Sequence, residues 1–220
     1  MTAKEVPKQE PPSDAHLSLE EGTALVQLAR RAIKSYLQTN EISKVPASVS
    51  QKLLRKSGVF VTLNSIKPKH ELRGCIGFPY PSEPLANATL KAAIYAAVDD
   101  PRFPPVSHDE IEESIVVEVT VLTPPSDLRV KDRRTLPDLI EVGRHGLIID
   151  GRGTSGLLLP QVAMEWEWDA SEFLTNCCLK AGLPPDSWLL PDVEVKTFEG
   201  EIFEELTPAG EVRRKASGDA

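Results

Sequence analysis

The chain has 220 residues, of which 40% are hydrophobic and 26% are charged, as is usual for a soluble globular protein. It contains no apolar run near the roughly 20 residues that span a bilayer and no signal-peptide core, so we expect a cytoplasmic protein without membrane contact. The net charge is −8, and residues 17–206 carry all of it, because the first 16 residues contribute −1 and the last 14 contribute +1. Such an acidic body disfavours broad nucleic-acid binding, although it leaves room for a local basic pocket.

The secondary-structure elements are predicted from hydrophobic periodicity, from helix-capping residues, and from the proline and glycine residues that end helices and strands. Three capping boxes, which begin at Ser18, Ser107 and Asp169, each predict a helix start. The predicted order is a helix over 19–39, strands over 59–63 and entering Leu72, a helix over 84–98, a short helix after Ser107, a strand over 115–123, a hairpin over 146–160, helices after Pro160 and Asp169, and closing strands over 193–206.

The order of these elements decides the fold class. Strict alternation of strand and helix is absent, so the sequence predicts an α+β protein with a mixed or mostly antiparallel sheet and packed helices. Residues 1–17 are polar and proline-rich and predict a disordered lead. The folded unit is expected over 18–206, as one body or two subdomains, and the polar residues 207–220 predict a disordered tail.

The segment around Cys75 is the first candidate site. Gly74 and Gly77 bracket this cysteine, so the backbone could turn sharply there and leave its N–H groups facing outward. Beside the Arg73 guanidinium, the thiolate could act as a nucleophile. The alternative is a small, half-buried thiol that fills space beside a glycine turn, as free cysteines usually do.

Two further residues are candidate acid–base groups. His145 lies where a loop meets a strand and could serve as the base for Cys75; the alternative is a hydrogen-bonded loop histidine. Glu165, beside Trp166 and Trp168, could act as an acid with a raised pKa if it is desolvated. The alternative is an ordinary polar position on a half-buried helix.

Two arginines are candidate ligand-binding residues, whereas the histidines and cysteines do not form a candidate metal site. Arg73 and Arg102 could clamp a carboxylate or phosphate, although Arg102 could also pin its own loop through a neighbouring aspartate. The histidines and cysteines lack metal-ligand spacing, and the adjacent Cys177 and Cys178 make no disulfide framework, so we predict neither a metal nor a cofactor. A reducing compartment fits this cysteine usage.

Four motifs, in this order, resemble those of the AMMECR-type domain family. They are LRGCIG at 72–77, DPRFPPV at 100–106, GRHG at 143–146, and GLLLPQVA at 156–163 followed by Glu165 and Trp168. The resemblance covers about residues 18–203. It implies a single two-lobed α+β unit with a cleft between the lobes, Memo-type and radical-SAM proteins as companions, and no firmly assigned reaction.

Three functions stay open at this point. The first is an enzyme whose cleft uses Cys75, Arg73 and His145 on a small anionic, nucleotide or protein substrate. The second is a binding module for a nucleotide, RNA or peptide, in which Arg73 and the backbone exposed at the glycines bind the ligand. The third is an adaptor for Memo-type partners. Each fits a monomer or a small homo-oligomer.

Overall fold

A computed structural model of the protein describes residues 16–67 and 71–215. The helices and strands are, in chain order, α1 (Leu19–Thr39), β1 (Val59–Ser65), β2 (Glu71–Phe78), α2 (Leu85–Val98), α3 (His108–Glu113), β3 (Ile115–Leu122), β4 (Ser126–Asp127), β5 (Gly146–Gly151), β6 (Thr154–Leu158), α4 (Pro160–Glu165), α5 (Ala170–Lys180), β7 (Glu194–Phe198), β8 (Gly200–Glu205) and β9 (Val212–Lys215). Short 3₁₀ helices occupy Gln51–Leu54, Arg133–Leu139 and Ser187–Leu189.

The long helix α1 begins where the capping box predicts. The Ser18 side chain accepts a hydrogen bond from the Glu21 N–H, and the Glu21 carboxylate accepts one from the Ser18 N–H. The helix ends at Asn40, whose φ of 58° lies in the left-handed region. Its core-facing stripe is buried to 4% exposure or less and includes Leu25, Leu28, Ala29, Ala32 and Ile33.

The first lobe is a five-stranded antiparallel sheet with helices packed on one face. Its strand order is β2-β1-β3-β8-β9, so β2 and β9 are the edge strands. In the core between the sheet and the helices, residues of α1 and α2 pack against alternate residues of β1 and β3, such as Val61, Leu63, Val117 and Val119. Because side chains alternate along a strand, Cys75 and its neighbours Thr62, Glu118 and Glu204 share the opposite face.

The second lobe is a four-stranded antiparallel sheet, ordered β4-β7-β5-β6, against which α5 packs. Its separate core includes Leu147, Ile149 and Phe173, together with both Cys177 and Cys178. Burial raises the pKa of the Cys177 thiol to about 12, and the thiol donates to the carbonyl oxygens of Leu147 and Gly156, so it has a packing role in this core. A small third cluster around Leu122, Ile148 and Phe198 joins the two lobes, and the predicted two-lobed α+β class is confirmed.

The chain after residue 206 corrects the predicted disordered tail. Val212–Lys215 form β9, which pairs with β8, and Val212 is buried. Arg213 binds the Glu204 carboxylate at 2.6 Å across this pair. The basic run lacks apolar alternation, so its order depends on contacts with other parts of the first lobe, above all with the acidic strand β8. Residues 1–15 and 216–220 of the predicted lead and tail lie outside the described residues.

None of the helices in the described ranges is long and apolar enough to cross a bilayer.

Candidate functional site

The LRGCIG segment is a strand and makes no sharp turn, which corrects the sequence interpretation. β2 runs through both glycines and ends only at Phe78. A Cβ at Gly74 would lie 2.1 Å from the carbonyl oxygen of Ala96 in α2, and one at Gly77 would lie 2.2 Å from the Phe60 ring. The glycines are therefore needed for close approach to a helix on one face and to an aromatic ring on the other.

The backbone of Cys75 is bound to the DPRFPPV segment. Its N–H donates to Asp100 Oδ2 at 2.8 Å, and its carbonyl accepts from Arg102 Nη2 at 3.2 Å. These are the groups that an edge strand would otherwise leave open. The N–H that the glycines were expected to present to a ligand is thus already occupied.

Asp100 and Arg102 form a two-pronged ion pair. Arg102 donates to the two carboxylate oxygens at 3.0 and 2.7 Å, while the Asp100 side chain is only 2% exposed. Hydrogen bonds from Arg102 hold the pKa of the Asp100 carboxyl far below its usual range, against the opposing effect of burial. The same pairing, with a smaller effect from the Cys75 thiol, raises the pKa of Arg102. Arg102 therefore ties its own loop to β2.

Arg73 fixes the other end of the same loop. Its guanidinium donates to Glu110 at 2.9 Å and to the carbonyl oxygens of Pro104 and Pro105 at 2.8 and 3.4 Å. The pairing with Arg73 and the capping bonds from Ser107 lower the pKa of the Glu110 carboxyl despite its burial, which acts in the opposite direction. Both arginines of the predicted clamp are thus bound to the protein itself, although the Arg102 side chain keeps 53% of its surface exposed.

The Cys75 thiol lies half-buried on the face of the sheet away from the helices. The Thr62 hydroxyl donates to its sulfur at 3.4 Å, and the Arg102 guanidinium donates to the carbonyl oxygen of the same cysteine at 3.2 Å. Glu118 and then Glu204 follow Thr62 across the strands. The arrangement offers a cation and a hydroxyl to the sulfur, but these partners include no base.

His145 is held far from this thiol. Its Nδ1 accepts from the Glu141 N–H at 3.0 Å, and its Nε2 lies 4.0 Å from Glu199. Cys75 on β2 is level with Glu204 on β8, three strands away at about 4.8 Å per strand, and Glu199 lies five residues before Glu204 at about 3.4 Å per residue. The distance from Cys75 to Glu199, the neighbour of His145, is therefore on the order of 20 Å. The structure does not bring Cys75 and His145 together.

Glu165 lies on a third surface. It is the last residue of α4 in the second lobe and is exposed, so the desolvation on which its proposed acid role depends is absent. The three candidate catalytic residues are thus distributed over different surfaces, and their catalytic roles stay predictions. In the described part of the chain, no group of three or more His, Cys, Asp or Glu residues is placed to hold a metal ion.

Sequence reasoning missed an apolar cavity between the lobes. It has a volume of about 130 Å³, and its walls come from Gly58, Pro79–Pro81 and Leu122–Pro125 of the first lobe and from Ile148, Leu157 and Phe198 on the side of the second. The Tyr80 hydroxyl lies 3.4 Å from Ser155 Oγ and so connects the two lobes beside it. Cys75 is not among the lining residues. Pro79 and Pro81, and Pro124 and Pro125, stand out in the sequence, but their spacing does not show that the two pairs line the same cavity.

The fold and these motifs together define a class: a two-lobed α+β domain with two antiparallel sheets, whose LRGCIG strand is bound edge-on by a DPRFPPV loop. The AMMECR1 family model matches residues 26–203, and the chain belongs to this family. Protein TK0174 of Thermococcus kodakarensis is 55% identical over 196 residues, which cover 88% of this chain and 95% of that protein. Protein MK0488 of Methanopyrus kandleri is 52% identical over 200 residues, covering 90% and 95% respectively.

A solved structure shows the same fold. The crystal structure of the uncharacterized protein PH0010 from Pyrococcus horikoshii is similar with a TM-score of 0.73 and 54% sequence identity. The match covers 89% of this chain and 97% of that one.

Proposed function

We propose that this protein is a peptide-binding module, in which the cavity between the lobes receives one apolar side chain of a partner protein. The observation that carries this proposal is the cavity itself, which is mostly apolar and bounded by both lobes. Its volume of about 130 Å³ is below the roughly 300 Å³ at which pockets for nucleotides and other small molecules begin. One aliphatic or aromatic side chain is the ligand of matching size.

The walls of the cavity suit this role because they are stiff. Pro79, Pro81, Pro124 and Pro125 have fixed φ angles, and none has an N–H that would be buried unpaired beneath a ligand. A preformed pocket binds without the entropy loss of ordering its own walls. Lys56 is the one charged residue among those that line the cavity, so the partner segment is expected to carry a carboxylate close to its apolar anchor.

The test is selection of peptides from a displayed random library, followed by fluorescence anisotropy of the selected peptide. Leu157→Asp places a charge in the cavity and should weaken binding at least about tenfold, since a buried unpaired charge opposes an apolar anchor. Thr154→Asp is the matched control, because Thr154 is exposed on the same hairpin and outside the cavity. Lys56→Ala should weaken only peptides that carry the carboxylate.

Two results would overturn this function. One is failure of the library to yield peptides with a common apolar residue. The other is equal binding to Leu157→Asp and to the wild type. The Memo-type and radical-SAM proteins implied by the family resemblance are the first full-length partners to test, and their binding should respond to the same two substitutions.

A thiol-dependent activity is the second candidate, and the partial exposure of Cys75 beside Arg102 and Thr62 supports it. Its test is the rate at which iodoacetamide alkylates Cys75 at fixed pH, in the wild type and in Arg102→Gln. A thiol activated by the neighbouring guanidinium would react faster in the wild type than in the variant. Equal and slow rates in the two proteins would leave the thiol without a chemical role.

A further inference from the structure

An exposed aromatic surface on the second lobe lies outside the cavity. Trp166 is 66% exposed, and its ring stacks on that of Trp168 with 6.0 Å between centroids and 17° between planes. Met164 is 45% exposed, and Val142 is 37% exposed. A Cβ at Gly143 would lie 2.7 Å from Met164 Sδ, which places Met164 directly against the loop that carries Val142. We call Val142, Met164 and Trp166 the indole patch.

The local backbone holds Trp166 outward. The Trp168 N–H bonds to the Ala163 carbonyl, and the Glu167 N–H bonds to the Met164 carbonyl. Glu167 has a φ of 54°, a left-handed conformation that non-glycine residues seldom adopt. With this geometry the inner indole, Trp168, is half-buried against the core of the lobe, and the outer indole presents a free face to solvent.

Acidic residues are the chain neighbours of Val142 and Trp166 in the indole patch. Glu165 and Glu167 flank Trp166 on both sides in the chain and are exposed, and within the described ranges neither carboxylate has a hydrogen bond or an ion pair. Glu141, next to Val142, is also exposed, although it pairs with Arg144. The outer face of an indole ring carries negative potential as well, so the ring and the carboxylates favour the same kind of ligand.

We propose that the indole patch binds a basic segment of a partner protein, with an arginine side chain stacked on Trp166. A planar guanidinium can stack on the free indole face while its N–H groups reach Glu165 or Glu167. Tryptophan is also enriched among residues that dominate the energy of protein interfaces. The charge argues against RNA as the occupant, because the phosphates would meet unpaired carboxylates. This surface is separate from the cavity and does not depend on the function proposed for it.

The experiment uses the full chain and three labelled probes: an octapeptide that alternates arginine with glycine, its lysine analogue, and an oligouridylate of similar length. Anisotropy should show that the arginine peptide binds more tightly than the lysine peptide, and that high salt weakens both. Trp166→Ala should weaken the arginine peptide about tenfold, and Glu165→Lys at least about threefold. Ile42→Ala, which removes an exposed apolar side chain on the first lobe, should leave binding within about twofold of the wild type.

The same measurements contain the results that would overturn the proposal. These are equal affinity of Trp166→Ala and wild type for the arginine peptide, tighter binding of the oligouridylate, and no peptide binding at millimolar concentration. Self-association in sedimentation that disappears in Trp166→Ala would identify a second copy of the chain as the occupant and would also overturn it. Matching thermal melts of the variants, which change exposed side chains only, ensure that lost binding is not lost folding.

Discussion

Asp100 is the residue at which two distant stretches of the chain meet. Its carboxylate accepts four hydrogen bonds, from the Cys75 N–H and from the N–H, Nε and Nη2 of Arg102. All four favour the charged carboxylate over the neutral acid. The side chain thus holds the loop after α2 against β2 as long as it is ionised.

Asp100→Asn should lower the free energy of unfolding by about 2 kcal/mol near neutral pH, since a charged hydrogen-bond acceptor is lost from a buried site. The pKa of Asp100 is lower in the folded protein than the roughly 3.9 of an unfolded chain, so its contribution is fully present above that value. The contribution is lost progressively as the pH falls from about 4 toward the depressed pKa of the folded state, so the difference between the two proteins should shrink over that range. Urea unfolding at several pH values measures this.

Asp99→Asn is the control for this substitution, because Asp99 is exposed and only one residue away. It should stay within about 0.5 kcal/mol of the wild type at every pH. A constant difference between Asp100→Asn and wild type down to acid pH would contradict the ionised role of Asp100.

The motifs around Cys75 could be recognised in the sequence, but the contacts that they make could not be predicted. LRGCIG and DPRFPPV both stand out as motifs, yet the partner of Arg73 is Glu110, 37 residues further along. Pairing across such a distance depends on how α2 returns the chain to β2, and no local spacing encodes it. The interlobe cavity was missed for the same reason, because its walls come from several separate segments.

Among the secondary-structure elements, α1 contains the clearest departure from an amphipathic pattern, because the charged residue Arg30 lies on its buried face. It lies in α1, yet it is only 5% exposed and pairs with Glu205 of β8, which is 4% exposed. The guanidinium also donates to the carbonyl oxygens of Ile111 and Ile115, and the Val117 N–H donates to the Glu205 carboxylate. One ion pair therefore connects α1, α3, β3 and β8.

Arg30→Met should lower the free energy of unfolding by about 3–5 kcal/mol, because it leaves the Glu205 carboxylate buried and without its cation. Chemical denaturation of the purified variant measures the loss. Arg30→Met combined with Glu205→Met should recover part of it, since the uncompensated charge is then gone. A single variant within about 1 kcal/mol of the wild type would show that the pair contributes little.

Local signals explain which elements were predictable. The capping boxes at Ser18, Ser107 and Asp169 are all formed, and the helices that they predict begin there. β4 and β9 were missed because they have two and four residues and little apolar alternation. Such short strands depend on the neighbouring strand with which they pair, and they carry no clear pattern of their own.

The described part of the molecule has two hydrophobic cores joined by a small contact. The cluster between the lobes contains only three buried residues, among them Phe198, whose ring lies against Gly146. All three tryptophans, Trp166, Trp168 and Trp188, belong to the second lobe, whereas the long helices α1 and α2 belong to the first. Tryptophan fluorescence and far-UV circular dichroism therefore report largely on different lobes.

Phe198→Ala should separate the unfolding of the two lobes, because it removes a large part of the joining cluster. The second lobe should lose about 3–5 kcal/mol, as for other buried phenylalanines. In the wild type the fluorescence and dichroism transitions in urea should coincide, and in the variant the fluorescence transition should come first. Coincident transitions in the variant would mean that contacts elsewhere are enough to couple the lobes.

The hydrogen bonds that Asp100 and Arg102 make with Cys75 have a consequence for the solubility of the protein. An edge strand has unpaired N–H and C=O groups with which a strand of another molecule can pair, and such pairing is a common route to aggregation. At one border of the five-stranded sheet the backbone of Cys75 is already taken, and Pro79 follows the strand directly. At the other border, β9 carries the charged side chains of Arg213, Arg214 and Lys215, and charged side chains on an edge strand disfavour the addition of a further strand. Both borders of the five-stranded sheet therefore carry features that disfavour the addition of a further strand.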